Sequence, residues 1–265
     1  MSISIKTKED IQKMCIAGHL AAEVLEIIEP YIKSGISTGE LDNICHSYIV
    51  EKQHAIPACL NYLSFPKSIC TSVNDVICHG IPSYEKILKE GDIINIDVTV
   101  IKNGFHGDTS KMFIVGKPTI QGERLCKITR ESLYLALKII KPGIRLRTIG
   151  KTIQQFVEQH HFFVVREYCG HGIGKIFHEK PQVLHYDADD GGIILKKGMT
   201  FTIEPMINTN DHRIRIMKDG WTVKTKDRGL SAQYEHTLAV TDDGCRILTL
   251  RKEEEPFISD ILVNK

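Results

Sequence analysis

Apolar residues recur at helical spacing over residues 7–33, at Ile11, Cys15, Gly18, Ala22 and Leu25, which predicts an amphipathic helix. Thr7 followed by Asp10 is a capping-box signature at its start, and Pro30 and Gly35 close it. Ser37 with Glu40 starts a second helix, carried by Leu41, Ile44, Cys45 and Tyr48 toward Gln53. Residues 55–82 are mixed, with short strand-like runs in "SICTSVNDVICHGIP". Residues 120–140 and 147–160 return to helical spacing, separated by "KPG". From about residue 162 strand-like runs alternate with Gly-rich turns.

The stretch "NIDVTVIKNGFHGDTS", residues 95–110, breaks the pattern by setting two acids inside apolar runs. Asn103-Gly104 between those runs predicts a hairpin with a two-residue type I′ turn. That turn pairs Lys102 with Phe105, Thr99 with Asp108 and Asp97 with Ser110. Directly opposed residues share a face, as do residues two apart on one strand, so Asp97 and Asp108 lie on the same face, roughly 7–8 Å apart at the backbone. Two such carboxylates repel, and no Lys or Arg of these strands stands between them on that face. Either the face is solvated or a cation sits between them.

The chain also echoes itself. "HGIP" at 79–82 resembles "HGIG" at 171–174, and "GDIINID" at 91–97 resembles "GMTFTIE" at 198–204, with Asp97 and Glu204 in corresponding places. Each half runs helix, helix, then strands, and a longer loop around residues 175–195 accounts for the difference in spacing. These echoes predict an α+β fold of two halves related by a pseudo-twofold, about 1–120 and 121–265, fused in a single domain over 1–265.

Composition narrows the partners. In 265 residues, 34 basic side chains balance 33 acidic ones for a net charge of +1, which argues against nucleic acid or a membrane surface as a partner. The beginning "MSISIKTKED" carries no signal core, no apolar run approaches a membrane span, and the eight cysteines contain no C-x-x-C pair. Reduced thiols and a cytoplasmic location are the expectation.

Further acids and one histidine extend the candidate site. Glu204 precedes a Pro that ends its run, Glu235 lies in the strand-like "SAQYEHTLAV", and His171 stands between glycines that let the backbone approach a ligand closely. With Asp97 and Asp108 they form an oxygen-rich set that suits Mn, Fe or Co as well as Zn. Five ligands, some able to bridge, fit two divalent ions that could hold a hydroxide between them. "HEKPQ" at 178–182 is no H-E-x-x-H, because Gln182 replaces the second His. His19, His46, His54, His185 and His212 have no motif context and read as surface or satisfied core residues.

"NIDVTVIKNGFHGDTSKMF", "YCGHGIG", "FTIEPM" and "YEHTLAVT", in this order and spacing, resemble the type I methionine aminopeptidases of the short bacterial form. The resemblance runs from the first helix to about residue 250. It implies a pita-bread fold around a curved antiparallel sheet, and removal of N-terminal methionine from nascent chains whose second residue is small. It assigns Asp97 to one metal, Asp108 and Glu235 to both, and His171 and Glu204 to the second, with Glu204 also the base. His79 and His178 match two histidines that contact substrate or the transition state.

The resemblance also maps a methionine pocket onto Cys59, Tyr62, Phe65, Cys70, Phe177 and Trp221. Phe65 stands where relatives often carry Tyr, so a hydroxyl is missing and the pocket is apolar there. A monovalent cation, Na or K, is implied near Asn74, Val76 and Ser231. A monomer with transient ribosome proximity is the implied setting. Two rivals share the fold: a proline-specific (Xaa-Pro) peptidase, which usually carries an additional N-terminal domain, and a non-catalytic binding module, which loses metal ligands.

Overall fold

A computed structural model of the chain describes residues 3–256 and 258. Helix α1 spans Lys8–Ile28, and Thr7 and Asp10 make the reciprocal bonds of a capping box at its start. It ends earlier than the apolar spacing alone suggests, because Pro30 begins a short 3-10 turn, Glu29–Tyr31, and has no N–H to continue the ladder. Helix α2 spans Thr38–Ser47 behind a second capping box, Ser37 with Glu40, and its last turn widens into a π-helical segment, Tyr48–Lys52. Helices α3, Ile120–Lys138, and α4, Arg147–Gln159, match the two later helical patterns.

The expected hairpin is the axis of the main sheet. Strands Ile93–Lys102 and Phe105–Ile114 pair in the register that the turn predicts, with Lys102 opposite Phe105, Thr99 opposite Asp108 and Asp97 opposite Ser110. Asn103 and Gly104 hold φ of 53° and 76°, the positive values a type I′ turn requires at both positions.

Beyond the hairpin the sheet runs, by antiparallel pairing, through Glu235–Val240, Thr200–Ile203, Gly170–Gly172 and Glu179–Val183. Ile56–Pro57 and Cys70–Val73 pair with the hairpin's first strand, and Cys245–Ile247 pairs with Glu235–Val240. This antiparallel sheet with helices against it is the α+β architecture expected from the sequence, and it agrees with the pita-bread fold that the resemblance implies.

Two apolar clusters hold the helices to the sheet. One joins Val24, Leu25 and Ile28 of α1 and Leu41 and Cys45 of α2 to Ile94, Ile96 and Val98 of the hairpin. The other joins Leu125, Leu133 and Leu137 of α3 and Ile149 and Ile153 of α4 to Phe201, Ile203 and Leu238 of the strands beyond it. α1 lies unusually close to the hairpin because glycines meet there: a Cβ on Gly107 would stand 2.3 Å from the amide nitrogen of Gly18. Among the described residues no helix is long and apolar enough to cross a membrane.

Candidate active site

The pleat turns Asp97 and Asp108 into one cavity of about 1020 Å³, also lined by His79, His171, His178, Glu204 and Glu235. Each ligand candidate arrives on a different piece of the sheet. Asp97 and Asp108 come from the hairpin, and Glu235 opens the neighbouring strand opposite Ser110. Glu204 follows the strand Thr200–Ile203, and His171 lies in Gly170–Gly172. Backbone pairing across five adjacent strands thereby gathers them at one place on the sheet.

One ligand atom from each of Asp108, His171 and Glu235 lies within 4.8 Å of the others. His171 Nε2 is 3.6 Å from Asp108 Oδ2 and 3.7 Å from Glu204 Oε1. His171 Nδ1 lies 3.0 Å from the Gly172 carbonyl, an acceptor, so Nδ1 carries a proton and Nε2 faces the acids. Neutral donors hold the carboxylates in place. Thr99 Oγ1 donates to Asp108 Oδ1 at 2.7 Å, Thr202 Oγ1 to Glu204 Oε1 at 2.8 Å, and Gln233 Nε2 to Glu204 Oε2 at 3.2 Å.

The acids perturb one another. Burial, with the Asp108 carboxylate beside it, pushes Asp97 well above the ordinary carboxylate range. Burial does the same to Glu235, helped by Asp108 and Glu204. Glu204 is raised by burial to about 7, although His171 and its two hydrogen bonds pull the other way. Burial opposes charge on His171, but the acids outweigh it and hold its pKa above the usual value. A set of buried oxygens and one imidazole nitrogen, mutually repulsive as anions, fits divalent cations, whose charge removes the conflict.

The remaining expected residues line the same cavity. Cys59, Phe65, Cys70 and Phe177 form a buried apolar cluster against which Tyr62 and Trp221 pack. Phe65 meets Trp221 edge-on at 5.2 Å between ring centroids. His79, just past the strand Val76–Cys78, holds a left-handed φ of 55° and sets its ring edge-on to Tyr168 at 5.3 Å. Burial lowers the His79 pKa to about 4, and burial together with neighbouring His171 lowers that of His178 to about 4. Both are neutral near pH 7.

One expectation needs correcting. The glycines around His171 were expected to admit a ligand, but the backbone itself fills the space. A Cβ on Gly170 would meet the Thr202 carbonyl oxygen at 2.4 Å, and one on Gly172 the Lys180 carbonyl oxygen at 2.1 Å. Those glycines bring strands together and so set the position of His171.

Two histidine contacts were missed. His106 stacks on Phe177 at 5.4 Å and 20°, and alternation from Asp108 could have placed it on the site face. His185, buried as a core histidine should be, accepts the Glu204 backbone N–H at Nε2, which no local signal announced.

Comparison with known proteins agrees with this geometry. Residues 12–242 match the Metallopeptidase family M24. The chain is 72% identical over 254 residues to the methionine aminopeptidase of Salmonella typhimurium, covering 96% of each. It superposes on the methionine aminopeptidase of Rickettsia prowazekii with a TM-score of 0.91 at 50% identity, covering 94% of this chain and 100% of that one. Prolidase from Pyrococcus furiosus shares the fold at a TM-score of 0.71 and 23% identity, over 94% of this chain and 66% of its own.

A curved sheet that gathers carboxylates and an imidazole into one cleft defines a metal-dependent peptidase of the pita-bread class. Within that class, the chain belongs to the methionine aminopeptidases of metallopeptidase family M24.

Proposed function

We propose that this protein removes the N-terminal methionine from nascent proteins and peptides whose second residue is small. The observation that carries the reading is the cavity itself, where an apolar, sulfur-containing cluster of Cys59, Cys70, Phe65 and Phe177 adjoins the carboxylate set. A thioether packs well against such thiols and rings.

Asp97, Asp108, His171, Glu204 and Glu235 would hold two divalent ions, drawn from Co, Mn, Fe or Zn. Such ions supply a water of lowered pKa and polarise the scissile carbonyl. The chain's own groups do the rest. Glu204 Oε accepts the proton of the attacking water and returns it to the departing amine. His178 donates an N–H to the oxyanion that develops on the carbonyl. His79 orients the scissile bond or assists the departing amide nitrogen. Tyr62, Phe177 and Trp221 wall the methionine side chain and exclude water around it.

The same reading places Na or K near Asn74, Val76 and Ser231. Support comes from Ser231, whose Oγ is buried without a hydrogen-bond partner while its N–H donates to the Asn74 carbonyl at 2.8 Å. The chain from 1 to 265 acts as one metallopeptidase domain whose pseudo-repeat halves meet near residue 120. It works as a cytoplasmic monomer, in transient proximity to the ribosome.

The test is turnover of Met-Ala-Ser beside an Xaa-Pro peptide, after chelation and return of single metals. Glu204→Gln, with metal in excess, should lower kcat by about 10²–10⁴. Cleavage of only the Xaa-Pro peptide, or a fully active Glu204→Gln protein, would overturn the assignment.

A further inference from the structure

His178 is held by one polar contact from outside its own loop: the hydroxyl of Tyr62 lies 2.8 Å from Nδ1. The two rings are tilted by 31° with centroids 5.3 Å apart. Phe177 stacks on His178 at 4.3 Å and 26°, and also touches Tyr62 at 4.9 Å. The His171 ring also approaches at 4.2 Å, so the imidazole is packed against two rings besides Tyr62 and tied at one nitrogen.

The segment that carries Tyr62 is strained. Asn61, Leu63 and Ser64 all hold left-handed backbone, with φ of 65°, 46° and 70°. Three such residues other than glycine in four positions are costly, and they persist only where surrounding structure imposes them. Here the Asn61 N–H donates to the Phe65 carbonyl at 2.8 Å and the Tyr62 N–H to the Cys59 carbonyl at 3.0 Å. These bonds clamp a tight loop in the cavity wall with the Tyr62 hydroxyl against His178.

The chemistry of the contact fixes a tautomer. A neutral imidazole has one N–H and one lone pair, and a phenol is the better donor of the two partners. When Tyr62 donates to Nδ1, the proton of His178 is on Nε2, the nitrogen left free to donate. An Nδ1–H tautomer would leave Nε2 with a lone pair, which repels a developing oxyanion.

We propose that Tyr62 is a positioning residue for the reaction: its hydroxyl holds His178 in the Nε2–H form and fixes the ring so that this N–H is the donor to the substrate carbonyl. The inference rests on the reading of His178 as that donor. It gives the Tyr62 hydroxyl a task separate from that of its ring, which packs the pocket.

The test is Tyr62→Phe in the full chain, which keeps the ring and removes the hydroxyl. Nitrogen-15 spectra of histidine-labelled protein, metal-free and zinc-loaded, report the tautomer directly, with the His178 signals identified by their loss in His178→Ala. The wild type should show His178 as Nε2–H, and Tyr62→Phe should shift it toward a mixture. On Met-Ala-Ser, kcat should fall about fivefold, the worth of one neutral hydrogen bond, with KM within about twofold. Tyr62→Leu should raise KM as well, because it also removes the packing ring.

An Nδ1–H signal in the wild type, or spectra unchanged in Tyr62→Phe, would overturn the proposal. So would a rise in KM with kcat intact, which would mean that the hydroxyl touches substrate. Should His178→Ala keep full kcat, the underlying reading of His178 fails by itself, and the spectra still decide whether Tyr62 sets the tautomer.

Discussion

Chelating the divalent metal should make this protein lose stability as pH rises above neutral, the reverse of ordinary acid denaturation. Without metal, the buried carboxyls must hold protons instead. Glu204 is raised by burial from 4.5 to about 7, a change equivalent to about 3 kcal/mol. Asp97 and Glu235 are also raised well above the ordinary range, first by burial and then by their acidic neighbours. The unfolded chain has released all three protons by about pH 6, whereas burial in the fold holds them to higher pH. The folded state binds more protons, so its stability falls with rising pH.

His79 and His185 act in the opposite sense, since burial lowers them to about 4 and 3. Their effect is complete once unfolded histidines have lost their protons, at about pH 7. Between pH 7 and 8.5 the carboxyls are joined by His171, whose raised pKa has the same sign, and toward pH 8.5 by thiols such as Cys78 and Cys169, which burial also raises. A retained proton is worth about 1.4 kcal/mol per pH unit, so each group still protonated in the fold adds up to about that much loss per unit of pH.

Urea unfolding of chelated protein at several pH values measures this loss. Excess Zn or Mn should reduce it, because a cation replaces the protons of the site, and Glu235→Gln should reduce it as well. Stability that stays level or climbs from pH 7 to 8.5 in the chelated protein would refute the electrostatic account of the site.

Other outcomes follow from particular contacts. Thr99→Val removes the 2.7 Å bond to Asp108 Oδ1 and should weaken divalent-metal affinity by about 10- to 100-fold in a calorimetric titration. Gly107→Ala drives a methyl into the Gly18 backbone of α1 and should cost about 2–3 kcal/mol by urea denaturation; a neutral result would mean that α1 can shift freely. Arg251 is buried, with Nη2 2.6 Å from Glu254 Oε1 and Nη1 2.9 Å from Thr109 Oγ1. Arg251→Ala leaves the Glu254 carboxylate buried without that partner and should cost about 3–5 kcal/mol, read from the same denaturation curves.

The sequence by itself determined what short-range chemistry controls. The capping boxes at Thr7 and Ser37 involve residues three apart, and both appear where the pattern placed them. Asn103-Gly104 fixed the hairpin register, and a period of two then put Asp97 and Asp108 on one face, because turn geometry and pleat need no distant partner. The echo of Asp97 at Glu204 was legible for the same reason.

Only the tertiary structure decided where those faces meet. Strand pairing across the sheet brings Glu235 and His171 to Asp108, and Tyr62 finds His178 from 116 residues away. Local signals show which residues can turn, cap or alternate. Burial of His185 behind Glu204, and the backbone that fills the space beside Gly170 and Gly172, depend on which strands pack together. That packing is set by apolar burial summed over the whole chain, a quantity no short stretch of sequence contains.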